Sequence, residues 1–139
     1  MQGTNRKQAL PREGATISNK PPSWLVNPHA KTIWKATVDE LAASSRAIPQ
    51  AYVETFSGYC SCAATVREAD AILAKEGLTV DGGREGVKRH PAIVIRAGAL
   101  LQLRNFAESL GLTPASSGRL PKTVEDQESP WAKFMKKDQ

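Results

Sequence analysis

The chain has 139 residues, 40% of them hydrophobic, and a formal net charge of +5. That length suits one domain with modest tails rather than two. No apolar run approaches the ~20 residues that cross a bilayer, and the opening MQGTNRKQALPREG lacks the apolar middle of a secretion signal. The expected setting is therefore cytoplasmic, with no membrane partner.

Residues 1–21 are polar and broken by Gly3, Pro11, Gly14 and Pro21, with Arg6, Lys7, Arg12 and Lys20 against Glu13 alone. They read as a flexible basic arm. Trp24 and Leu25 then bring the chain onto the body, which spans residues 22–120. Asn27-Pro28 is an N-cap followed by proline at the first helical position, and Ile33, Trp34, Thr37, Val38 and Leu41 give the helix one apolar face. Lys31 and Lys35 sit elsewhere on its surface as an i,i+4 pair, and the pattern fades at Ser44-Ser45-Arg46.

A second, long helix follows Pro49, from about residue 50 to 76. Tyr52, Phe56, Tyr59, Ala63, Val66, Asp70 and Leu73 alternate four and three apart, a heptad-like seam broken once by Asp70. Such a seam is either intramolecular core or, in part, a contact with another subunit; for the second role the residues are Tyr52, Phe56 and Tyr59. Gly77 stops the helix. Residues 78–90 interrupt the helical pattern. Asp81-Gly82-Gly83 is a turn signal that can close a tiny hairpin between 78–80 and 86–88; the alternative is a plain connector. No Gly-Lys-Ser/Thr follows, so the phosphate-binding loop pattern is absent.

The third helix starts at Pro91 and ends near Leu110, capped by Gly111, with Ile93, Ala97, Leu100, Leu103, Ala107 and Leu110 as its inner stripe and Arg96 and Arg104 at the borders. Thr113-Pro114 repeats the start signal and opens a short fourth helix limited by Gly118. Residues 121–139 form a polar tail ending in Trp131, Phe134 and Met135 at helical spacing. This amphipathic peptide either folds on a partner or straps across its own domain; in the partner reading Trp131 and Phe134 make the contact.

The chain shows little chemistry. Cys60 and Cys62, two apart in a helical pattern, point in well-separated directions, poor geometry for a disulfide or a shared metal, and no His joins them at zinc-finger spacing. His29 and His90 each adjoin a proline at a helix start and read as first-turn surface residues. No catalytic constellation, metal set or cofactor motif has a sequence signature, so the expectation is binding rather than catalysis. Arg84, Lys88, Arg89, Arg96 and Arg104 stand against Glu85 alone in residues 84–104. With the arm they make two basic regions, a footprint for nucleic acid in which Arg84, Lys88 and Arg89 form the second cluster.

Three blocks resemble the small terminase subunits of tailed double-stranded-DNA phages. The first is Pro22-Ser23-Trp24-Leu25 leading through Ala30, Trp34 and Leu41. The second is Tyr59-Cys60 with the alanine run ending at Glu76-Gly77, and the third is His90-Pro91 through Leu110-Gly111-Leu112-Thr113-Pro114. The sequence departs from the family at Ile48-Pro49-Gln50, where an acidic residue is common. The resemblance implies a mainly α-helical protomer that assembles as a homo-oligomeric ring in the host bacterium's cytoplasm. It also implies binding of viral double-stranded DNA and recruitment of the large terminase subunit, which holds the ATPase and nuclease. The alternatives are a helix-turn-helix transcriptional regulator, whose short helices and three- or four-residue turn fit the long second helix poorly, and a small metal-dependent enzyme.

Overall fold

The computed structural model describes residues 14–114. The protein is mainly helical, with α1 (Pro28–Ala43), α2 (Val53–Glu76) and α3 (Pro91–Ser109), and a hairpin of β1 (Thr79–Asp81) and β2 (Val87–Arg89) between α2 and α3. Helix α2 is the spine. Helix α1 packs on it from the first turns up to Glu68, whose Oε1 accepts from Asn27 Nδ2 at 2.7 Å, and α3 returns antiparallel along its length.

The local signals work as chemistry demands. Asn27 Oδ1 accepts from the backbone N–H groups of His29 (2.9 Å) and Ala30 (3.3 Å), with Pro28 at the first helical position. Helix α1 closes through Ser45, which takes a left-handed φ of 56° so that the Arg46 N–H donates to the Leu41 carbonyl at 2.8 Å. This is the Schellman closure, made here without the usual glycine. Gly77 ends α2 at φ 85°.

The core forms where α1 crosses α2. Trp34 and Phe56 are buried with ring centroids 4.5 Å apart, and Ile33, Ile48, Cys60, Ala64 and Leu110 surround them. The indole N–H of Trp34 donates to the Ser18 carbonyl at 2.9 Å, so the one polar atom of this ring is satisfied. The same contact ties the segment around Ser18 to the body. Thr16 pairs with Pro49, the Ile17 N–H donates to Ile48, the Gln50 N–H donates to Ala15, and the Ile17 side chain is buried. Residues 15–19 therefore run along the body.

Three contacts set the register of α2 against α3. Gly58 faces the Phe106 ring so closely that a Cβ would lie 2.8 Å from Cζ. Further along, Arg96 Nε donates to Asp70 Oδ1 at 2.5 Å, and His90 meets Glu76 at 3.3 Å. Asp70, the break in the predicted seam, is thus a partner for Arg96. The inner face of α3 also differs from the predicted stripe. Ala92, Ile93, Arg96, Ala99, Leu103, Phe106, Ala107 and Leu110 are covered, whereas Ala97 and Leu100 are exposed. Apolar residues fall on every side of this helix, so periodicity alone does not select a face; the fit of Gly58 to Phe106 does.

The hairpin is displaced by one residue from its predicted place, pairing Thr79 with Arg89 and Asp81 with Val87. Gly83, which opens a short 3-10 turn (Gly83–Glu85), and Gly86, which follows it, take positive φ, and the loop is longer than a tight Asp-Gly-Gly turn. No described helix pair has the helix-turn-helix spacing: residues 44–52 and 77–90 separate the helices. The predicted fourth helix lies beyond Pro114, outside the described residues. Replacing Phe56 by Ala empties the centre of the core and should cost about 3–5 kcal/mol in urea unfolding; a loss below about 1 kcal/mol would contradict this packing.

Candidate functional site

The β-hairpin carries all three residues of the predicted second basic cluster. Arg84 lies in the turn, Lys88 and Arg89 lie on β2, and all three are exposed. Lys88 makes an ion pair with Glu85, and Asp81 Oδ1 accepts from the Gly83 N–H at 2.8 Å. Gly82 is required here for space: a Cβ would lie 2.5 Å from the Gly86 carbonyl oxygen and 2.8 Å from Lys88 Cγ. The aliphatic stem of Lys88 thus lies across the turn while its ammonium reaches solvent.

Lys20 is exposed at the other end of the protomer. Its neighbours Ser18 and Asn19 bond to Trp34 and Asp39 of α1, beside the Phe56 end of α2. From Phe56 to Glu76 the spine rises about 30 Å. The structure therefore does not bring Lys20 and the hairpin cluster into one patch within a protomer. Lys31 and Lys35 are exposed on α1; the sequence showed them as a pair without assigning them a role. Arg6, Lys7 and Arg12 lie outside the described residues, as do Trp131 and Phe134.

The three residues assigned to subunit contact part company. Phe56 is wholly buried against Trp34 within the protomer, and Tyr59 stacks on it at 6.0 Å and is half-buried. Tyr52 is exposed. Phe56 thus has no surface left for a second copy. The bare apolar surface lies elsewhere. On α3, Val94, Ile95 and Leu101 are 57%, 56% and 57% exposed, Gly98 between them opens on empty space, and Ile72 of α2 is 41% exposed. Val94, Gly98 and Leu101 fall at helical spacing on the side of α3 turned from α2. Sequence periodicity assigned Ala97 and Leu100 inward, and so hid this stripe.

His90 is not the surface residue that its position suggested. It is buried as the N-cap of α3, with Nδ1 accepting the Ala92 N–H at 3.0 Å, Nε2 next to Glu76, and its own N–H donating to the Leu78 carbonyl at 2.8 Å. The imidazole thereby joins the end of α2 to the start of α3, and the backbone N–H of the same residue ties in the base of the hairpin. Cys60 and Cys62 are free thiols. Burial pushes the Cys60 thiol up to about 12 and also raises the Cys62 thiol. Burial also raises the Tyr59 phenol, with Cys60 and Glu40 adding to the effect and Arg67 opposing it. Among the described residues no helix is long and apolar enough to cross a membrane.

The fold and these surfaces define a small helical protein with cationic side chains at both ends and an apolar helix face left bare. The family model for the phage terminase small subunit matches residues 30–127, more than two thirds of the length, and the chain belongs to that family. Membership gives it a role in phage DNA packaging, alongside the large terminase subunit. No curated protein and no solved structure matches the chain.

Because the thiolate is the reactive form, Cys60 should react with a disulfide reagent at pH 8 only as fast as the protein opens, and Cys62 should react first. The raised value of Cys60 stabilises the fold below pH 9, and this contribution is lost as pH climbs toward 12. Equal fast labelling of both thiols would contradict the burial.

Proposed function

We propose that this chain is a non-catalytic packaging adaptor that assembles as a ring, binds viral double-stranded DNA and recruits the large terminase subunit in the host cytoplasm. The observation that carries the reading is the bare stripe of Val94, Ile95, Gly98 and Leu101. Three exposed aliphatic side chains on one helix cost free energy in water, at roughly 25 cal/mol per Å² of apolar area left exposed. A second copy of the same helical hairpin offers a surface of the same kind, and Gly98 permits close approach of the backbones. A head-to-tail contact that closes on itself leaves no copy with an open face.

DNA binding follows from repetition. One hairpin presents Arg84, Lys88 and Arg89 against Asp81 and Glu85, a weak site alone. Copies set around a ring add their phosphate contacts, which makes binding tighter and strongly salt-dependent. Lys20, with Arg6, Lys7 and Arg12, forms the second contributor. Trp131 and Phe134 are the proposed contact for the large subunit. Tyr52 and the exposed edge of Tyr59 remain a secondary part of the subunit contact, with Phe56 supporting them from below.

Two measurements test this. Val94→Glu with Leu101→Glu should reduce the mass seen by light scattering to that of one protomer, while the helical circular dichroism signal and Tm stay within a few degrees; an unchanged mass would place the interface elsewhere. Arg84→Glu with Arg89→Glu should weaken duplex DNA binding and lower the slope of log affinity against log salt by about 2 per protomer engaged. An unchanged slope would remove the hairpin from the DNA interface.

A further inference from the structure

The hairpin sorts its side chains onto two faces. Opposed residues of an antiparallel pair share a face, and the faces alternate along each strand. Thr79 stands opposite Arg89, Val80 opposite Lys88 and Asp81 opposite Val87, so one face carries Val87 and Arg89 and the other Val80 and Lys88. The second face is occupied: Val80 is half-buried, and Lys88 is paired with Glu85 while its stem lies across Gly82. The first face is open. Val87 is 76% exposed, more than Val94, Ile95 or Leu101, and Arg89 is exposed beside it. Asp81 Oδ1 is engaged by the Gly83 N–H. Among the described residues neither Arg89 nor Arg84 makes an ion pair or a side-chain hydrogen bond.

That face mixes two chemistries. A guanidinium serves a phosphate or a base edge, but an aliphatic side chain gains nothing from a phosphate. Against DNA its favourable partner is the C5 methyl group of thymine, which lies in the major groove. This groove, about 12 Å wide, admits a two-stranded ribbon, whose strands lie about 4.8 Å apart. Two residues along a strand advance about 6.8 Å, close to two base steps of about 3.4 Å. Val87 and Arg89 are therefore spaced to meet nearby base pairs from one face.

We propose that the hairpin reads base sequence in the major groove of duplex DNA, with Val87 against a thymine methyl group and Arg89 forked onto the edge of a guanine. Arg84, in the turn, is left for the phosphate backbone, and Lys88 holds the turn from the opposite face. The inference rests on the reading of the hairpin as a DNA contact and adds sequence selectivity to it. Phosphate contacts alone give affinity without selectivity, so the two fail separately.

The test uses the full chain and a randomised duplex library. The unaltered protein should enrich a thymine and a guanine at one fixed, short spacing. Replacing that thymine by deoxyuridine, which lacks only the methyl group, should weaken binding about fivefold, the low end for one base-pair contact. The same replacement should leave the affinity of Val87→Ser unmoved. Arg89→Lys keeps the charge but loses the fork, so it should relax the guanine preference at an unchanged salt slope. Three results would overturn the proposal: salt-dependent binding without base preference, a deoxyuridine penalty that is absent or equally large in Val87→Ser, and a fall in particle mass on Val87→Ser. The first of these leaves the DNA contact itself standing; that contact fails instead if charge reversal at Arg84 and Arg89 does not move the salt slope.

Discussion

The contact of Trp34 with Phe56 is the constraint on which the rest of this protomer depends. It joins three parts of the chain that have little else in common: α1, the spine α2 and, through the indole N–H, the strand-like segment around Ser18. An aromatic pair of this kind buries several hundred Å² and adds directional preference to the area term. Once it is made, the small residues Cys60 and Ala64 continue the same buried line up α2, and Leu110 returns from the far end of α3 to close it. The body is therefore concentrated at one end of α2. Beyond it, α2 and α3 continue as a two-helix arm that ends in the hairpin.

That division explains the placement of both kinds of surface. A pair of helices covers each of its members on one side only, and the far half of the arm has no α1 to cover it. What remains exposed there is aliphatic on α3 and, on the hairpin, the cations beside the exposed Val87. The junction between arm and hairpin is held by polar contacts, with Arg96 on Asp70 and His90 on Glu76, the Ala92 N–H and the Leu78 carbonyl. Directional bonds at this point fix where Arg84 and Arg89 project. Under the proposed assembly, the stripe of Val94, Ile95 and Leu101 joins neighbouring arms and so repeats those cations at regular intervals.

Much of this was legible in the sequence because it is encoded locally. Asn27-Pro28, Gly77, Pro91 and Gly111 mark helix ends through backbone chemistry that needs no tertiary context, and those ends fall where the structure has them. The hairpin was legible in kind but slipped by one residue, since Gly86 enlarges the turn and nothing local reveals that. The inner face of α3 was not legible. A helix reading AIVIRAGALLQL has apolar residues at every angle, and only the close approach of Gly58 to Phe106 decides which side is covered. His90 was misjudged for a related reason: the signal that it caps α3 through Nδ1 depends on Glu76 and Leu78 arriving from another element. Asp70 likewise reads as a flaw in a seam until Arg96 is placed opposite. The candidate surfaces follow the same rule, with the hairpin cations visible in the sequence and the aliphatic stripe visible only after α3 is oriented.

The central claim is that the uncovered face of α3 is completed by another copy of the chain. A cryo-electron-microscopy structure of the particle formed in solution tests it most directly. The account predicts a closed ring in which Val94, Ile95 and Leu101 of each copy are buried against a neighbouring helical hairpin and the β-hairpins project at equal intervals. A particle in which those three side chains still face solvent, or a solution containing single protomers alone, would contradict it.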